Sequence, residues 1–180
     1  MEEALINKIG NSMIYLSNHC EGLHNKTHFL KMIYILDEES VKETGVPFFN
    51  LNYQIWQYGP VDPQLFNLAT NNSEVFDKFI KIVKGKLKPV AEFNDDEFSN
   101  NDLKILEKVC DRFKYCTTTE LVNHTHKPSS PWYIIAKQNN LLDAKGDLKR
   151  PTTEIEIDFS ILLENSEEKL FRYNLYKDSF

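Results

Sequence analysis

The stretch 48-FFNLNYQIWQYGPVDPQLF-66 changes its hydrophobic period twice in nineteen residues, and the fold class turns on it. Phe49, Leu51, Tyr53 and Ile55 alternate with Asn50, Asn52 and Gln54, a period of two that predicts a half-buried strand. "YGP" then interrupts the alternation, and because Pro60 has no N–H to give a ladder the pairing is expected to stop there. Beyond it Asp62 is placed to accept from the first free amides of a helix, and Pro63 is preset for its first position. The segment therefore reads as strand, rigid corner and helix start, with bulky aromatics on both sides of the break.

Working outward, the flanks read mainly as helix. Leu5, Ile6, Ile9, Met13 and Leu16 recur at spacings of three and four, with Gly22 placed as the stop. Asn25-Lys26-Thr27 opens a second helix carrying Phe29, Leu30, Ile33 and Leu36 and ending near Glu39, before the turn "ETGVP". Val75, Phe76, Phe79, Ile80 and Val83 suggest a short helix over 73–83, and "KLKPVAEF" an antiparallel partner for the first strand. Ser99 with Asp102, and Thr117 with Glu120, have the spacing of capping boxes. The first precedes the stripe Leu103, Leu106, Val109 and Phe113; Ser130-Pro131 opens another helix bearing Trp132, Ile135 and Ala136. "TEIEIDF" (153–159) alternates again, and from Glu164 onward the chain reads as a marginal helix or loose tail. The expected fold is α+β and mainly α-helical: a compact helical domain with a small antiparallel β-sheet from 48–56, 86–91 and 153–159. Residues 1–150 form its body and 151–180 a C-terminal strand plus tail.

Composition narrows the function classes. The 180 residues carry 27 acids against 21 Lys and Arg, a net charge of −6, so nucleic acid is not the expected partner. The densest basic run, 81-KIVKGKLK-88, reads as a solvated helix end and turn. No apolar run approaches the roughly 18 residues needed to span a bilayer, and no signal-like segment opens the chain. Three cysteines, an odd count, suit reduced thiols in a cytoplasmic protein better than a disulfide framework.

Candidate chemistry is thin. Cys20, His24 and His28 sit four apart, a spacing that zinc accepts on one helix face, but Gly22 and "HNKT" break that face and no fourth ligand stands nearby. His124 and His126 in "NHTH" fit the end of a helix better than a ligand pair. Cys110 falls in line with a buried stripe, which leaves Cys116 with His124 or His126 as the remaining Cys–His arrangement. The carboxylates at 95, 96 and 97 are neighbours in one loop. No phosphate-binding glycine loop, metal-binding His-Glu-x-x-His or nucleophile elbow occurs, so no catalytic residue, metal or cofactor is expected.

Several segments together do point somewhere. "HFLKMIYILDEESVKETGVPF", then "WQYGPVDPQLF", "LKILEKVCDRF" and "TTTELVNHTHKPSSPW" occur in an order that resembles the Panacea domain, the SocA-like antitoxin family that includes phage-associated proteins. The matching positions are Lys31 and Tyr34, then Trp56, Tyr58, Gly59, Pro60 and Val61, then Leu121, Thr125, His126, Pro131 and Trp132, and the resemblance spans roughly residues 3 to 142. "VDP" after the corner departs slightly from the usual pattern, and the tail lies outside it.

The resemblance implies a non-catalytic protein that pairs with a cognate toxin and neutralises it by direct binding. The family's founding member instead delivers its toxin to a ClpXP-type protease as a proteolytic adaptor. The competing classes are a DNA-binding regulator of its own operon, which the charge disfavours, and a Cys–His hydrolase. At the corner, Trp56 and Trp132 are expected to pack together, with Gly59 permitting the tight turn and Pro60 stiffening it.

Overall fold

In the computed structural model, residues 1–21, 25–70, 74–83 and 86–179 are described. Gly22 as a helix stop and His24 as a ligand both lie outside them. Seven α-helices and two antiparallel two-stranded sheets make up the described fold, which is α+β and mainly helical as the patterning indicates.

The organising element is α2, Lys26–Thr44. Asn25 caps it by accepting from the His28 amide at 2.8 Å, and every residue from His28 to Val41 is buried. A helix enclosed on all sides needs neighbours on all sides. Around it stand α3 (Pro63–Thr70), α4 (Asn100–Phe113), α5 (Thr118–Thr125), α7 (Glu167–Lys177) and a 3-10 turn at Phe159–Leu162. The N-terminal helix α1 (Glu3–His19) packs on α4, and α6 (Pro131–Gln138) leans on α5.

Both capping boxes form as spaced, Ser99 with Asp102 at α4 and Thr117 with Glu120 at α5; Ser130 caps α6 with Pro131 at its first position. Helix α2 outruns its expected end at Glu39 by five residues. It stops where Gly45 takes φ = 80°, and a Cβ there would lie 2.4 Å from the Lys169 carbonyl oxygen of α7. Asp37, Glu38 and Glu39 are buried, and each carboxylate has a hydrogen-bond or ion-pair partner there.

The expected strand over 48–56 shrinks to β1, Gln54–Trp56. Upstream, the amides a ladder needs are taken by carboxylates. Asp37 accepts from Phe49 N at 2.6 Å and Asn50 N at 3.3 Å, Asp62 accepts from Asn52 N at 3.0 Å, and Asn50 itself turns left-handed at φ = 58°. The alternation still sets the inward face, with Phe49, Tyr53 and Ile55 buried.

Nor does Pro60 end the pairing. Gly59–Val61 is β2 and folds back on β1 with Trp56 opposite Gly59 and Ile55 opposite Pro60. Ile55 turns its N–H outward to Ile155 O at 3.0 Å, so the missing amide of Pro60 leaves no ladder bond unmade. The "TEIEIDF" segment lies along the far edge of β1 through that bond, Ile157 N to Tyr53 O at 2.7 Å and a bridge from Gln54 to Glu156.

Residues 74–83 are not helical. A 3-10 turn, Glu74–Phe76, leads into β3 (Ile80–Val83), which pairs with β4 (Lys86–Pro89). The "KLKP" strand therefore pairs with "IKIV" and not with β1, and the basic run 81–88 is a hairpin rather than a helix end. β-branched Ile80, Ile82 and Val83 favour the extended chain here. The tail condenses into α7, held by Lys169 Nζ on Lys42 O at 2.7 Å and by buried Tyr173, whose hydroxyl accepts from Phe159 N at 3.1 Å.

Candidate functional site

The residues of the corner motif converge, and they do so on main-chain carbonyls. Trp132 donates its indole N–H to Trp56 O at 3.0 Å, Lys31 donates to Pro60 O at 2.8 Å, and His126 Nε2 lies 3.2 Å from Gln57 O. From the other side Thr153 donates to Ile55 O at 2.9 Å. Helices α2, α5 and α6 thus each send one side chain to the β1–β2 hairpin and fix it in place.

Gly59 sits at the centre of this arrangement with φ = 97°. A Cβ there would meet Thr125 Oγ1 at 2.6 Å, Lys31 Cε at 3.0 Å and His126 Cε1 at 3.2 Å. Both the backbone angle and the space therefore require glycine. Thr125 is buried and donates to Val122 O at 2.9 Å, while His126 Nδ1 lies 2.7 Å from the same carbonyl. A neutral imidazole has one N–H, so of the two carbonyls that face the ring, Val122 O and Gln57 O, it serves one at a time.

The two tryptophans meet differently from expectation. Trp132 is 1% exposed and its ring lies 3.9 Å from that of His126; Trp56 is half-buried with its ring 5.0 Å from Phe66. What joins them is an indole hydrogen bond to the Trp56 backbone, not ring packing. Tyr34 is fully buried edge-on to Tyr53, Val61 is buried in β2, and Pro131 is buried at the start of α6. Tyr58, at the hairpin tip, is 68% exposed.

Lys31 carries the unusual charge. It is 1% exposed, its hydrogen bond goes to a neutral carbonyl, and no carboxylate is ion-paired with it among the described residues. Burial lowers its pKa to about 7, because an ammonium removed from water needs a compensating charge to stay protonated. The desolvated His126 is likewise lowered.

Nearly two turns further along α2 lies an acidic group that sequence reasoning missed. Asp37, fully buried, gathers the Phe49 and Asn50 amides and the Tyr53 hydroxyl, the last at 2.7 Å. Burial still raises it to about 6 against those hydrogen bonds. Glu39 is paired with Lys42 and Arg112, each at 3.2 Å, and Glu38 is bonded to Lys42. The signal was present in the phase of α2, where Asp37 follows Tyr34 by three and so shares its buried face.

The nucleophile candidate Cys116 is not activated, and the metal candidates do not cluster among the described residues. His124 packs on Phe113 and lies 3.1 Å from Lys127, and burial with that charge lowers it to about 4. Burial and Glu120 push the Cys116 thiol up, away from the thiolate. Cys110 instead meets Cys20, with the sulfurs 2.7 Å apart; their shared hydrogen bond raises Cys20, as its burial does, and lowers Cys110 against its burial. His28 is buried inside α2. Among the described residues no three metal-ligating side chains cluster, and no helix is long and apolar enough to cross a membrane.

No curated protein and no solved structure matches the chain. A family model described as antitoxin SocA-like, Panacea domain, matches residues 29–133, which run from Phe29, directly after buried His28, to Tyr133 beside Trp132. That segment holds Lys31, the hairpin, Thr125, His126 and Trp132, and covers more than half of the 180 residues; the chain belongs to the SocA-like antitoxin family that carries the Panacea domain.

Proposed function

We propose that the protein neutralises a cognate protein toxin by direct binding, as a non-catalytic partner acting in the cytoplasm. Membership of the antitoxin family is the observation that carries this reading. The chemistry of the corner supports it. Lys31, Thr125, His126 and Trp132 all engage atoms of the protein itself, so the motif builds a scaffold and leaves partner contacts to exposed residues. A hairpin held by three helices loses little entropy when it is bound.

The test is co-expression with the adjacent reading frame, with this protein tagged. The expected result is a neighbour that arrests growth alone, is harmless together with this protein, and co-purifies at a fixed ratio. A neighbour that stays toxic, or a neutralised one that never co-purifies, overturns direct binding. Delivery to a ClpXP-type protease is separated by the neighbour's half-life. A half-life shortened by this protein, and restored in cells lacking the protease, makes it an adaptor; an unchanged one makes it a sequestering antitoxin.

A further inference from the structure

The β3–β4 hairpin keeps an open edge. Val90 N donates to Phe79 O at 2.9 Å, so hydrogen-bonded pairs fall at 79/90, 81/88 and 83/86, and the alternate pairs 80/89 and 82/87 make no ladder bond. Pro89 occupies one of those alternate positions. The amides and carbonyls of Ile80 and Ile82 therefore point away from β4, and no described residue bonds to them.

Beside that edge lies a cavity of about 500 Å³ whose apolar wall includes Phe29, Leu68, Phe76, Ile80 and Ile82. Glu74, Asp77, Lys26 and Lys81 also line it.

The outer face of the hairpin is not balanced in charge. The register sets Lys81 directly across from Lys88 and Val83 across from Lys86, all exposed, and none of the three lysines has an ion pair among the described residues. Like charges directly opposite on a sheet are destabilising. Edge lysines ordinarily deter strand pairing. Here they stand beside Ile82 at 57% and Val83 at 45% exposure, a combination that deters neutral strands and admits acidic ones.

We infer that the free edge of β3 receives an extended segment of a partner protein, one whose side chains alternate between acidic and apolar. Its backbone pairs with Ile80 and Ile82, its apolar side chains enter the cavity, and its carboxylates lie over Lys81 and Lys88. This surface is argued from the hairpin alone and stands whether or not the partner is a toxin.

The probe is a fluorescent peptide of about twelve residues alternating Glu and Val, with a Lys/Val peptide of equal length as control. The full chain should bind the Glu/Val peptide, with amide exchange slowed at Ile80 and Ile82. Lys81→Glu with Lys88→Glu, both exposed changes, should weaken that binding at least about tenfold and admit the Lys/Val peptide. Ile82→Pro should also abolish binding, because it removes an edge amide that β4 does not use.

Equal binding of both peptides, or protection elsewhere than β3, overturns the proposal. So does displacement of the peptide by a single-stranded oligonucleotide without protection at β3. A concentration-dependent dimer that the peptide does not disrupt assigns the edge to a second copy and overturns it too.

Discussion

Replacing Lys31 by Met isolates the buried charge at the corner. The unfolded chain holds that proton up to about pH 10.5 and the folded chain only up to about 7, so folding releases a proton between those values. Stability from this group therefore rises with pH across the window and is lowest at and below pH 7. At 1.36 kcal/mol per pH unit, the charged side chain disfavours the fold by about 4 kcal/mol at pH 7 and about 1.4 kcal/mol at pH 9.5. Methionine has similar length and no charge, but it leaves Pro60 O without its donor, at about 1–3 kcal/mol. Lys31→Met should thus be neutral to stabilising by about 1–3 kcal/mol at pH 7. Its advantage should shrink by about 3 kcal/mol at pH 9.5, as the wild-type lysine is neutralised. Urea unfolding of both chains at the two pH values measures this, and taking the difference removes the thiols that titrate in the same range. A difference that does not change with pH would falsify the reading of Lys31 as a desolvated, unpaired amine.

Two further outcomes follow from the same centre. Gly59→Ala combines a left-handed backbone with a Cβ 2.6 Å from Thr125 Oγ1, and should destabilise by about 3 kcal/mol, a melting temperature lower by about 6–12 °C; a shift under about 2 °C by calorimetry removes Thr125 and Lys31 from the corner. Asp37→Asn tests the opposite sign. Folded Asp37 keeps its proton up to about pH 6 where the unfolded group releases it near 3.8, so wild-type stability from this group falls as pH rises through that window and then levels off. The Asn chain should lack that fall, gaining about 2.4 kcal/mol on the wild type between pH 4 and 7, and parallel unfolding curves across the range rule it out.

Local signals in the sequence were read where one residue type decides the outcome. Ser99/Asp102, Thr117/Glu120, Asp62 and Ser130-Pro131 each begin a helix as their chemistry requires, because a cap is satisfied within three residues. What misled was competition for amides from far along the chain. Nothing near residues 49–52 announces that Asp37 and Asp62 will take their N–H groups, and without that the alternation extends the strand too far. The helix expected over 73–83 failed for a related reason. Its apolar residues satisfy either period, and the β-branched side chains of Ile80, Ile82 and Val83 favoured the extended chain. Of the motif residues that the resemblance named, Lys31, His126 and Trp132 meet the hairpin, but their bonding was hidden, since all the acceptors are backbone atoms that no side-chain pattern records.

That choice of acceptors has a consequence for engineering. A carbonyl oxygen is the same whatever side chain follows it, so the hold of Lys31 and Trp132 on the hairpin does not depend on what the tip displays. Tyr58, exposed between the two strands and not called upon by any of these anchors, is therefore a grafting point. A loop spliced in at that residue inherits a rigid, three-helix mount without any change to the scaffold that carries it.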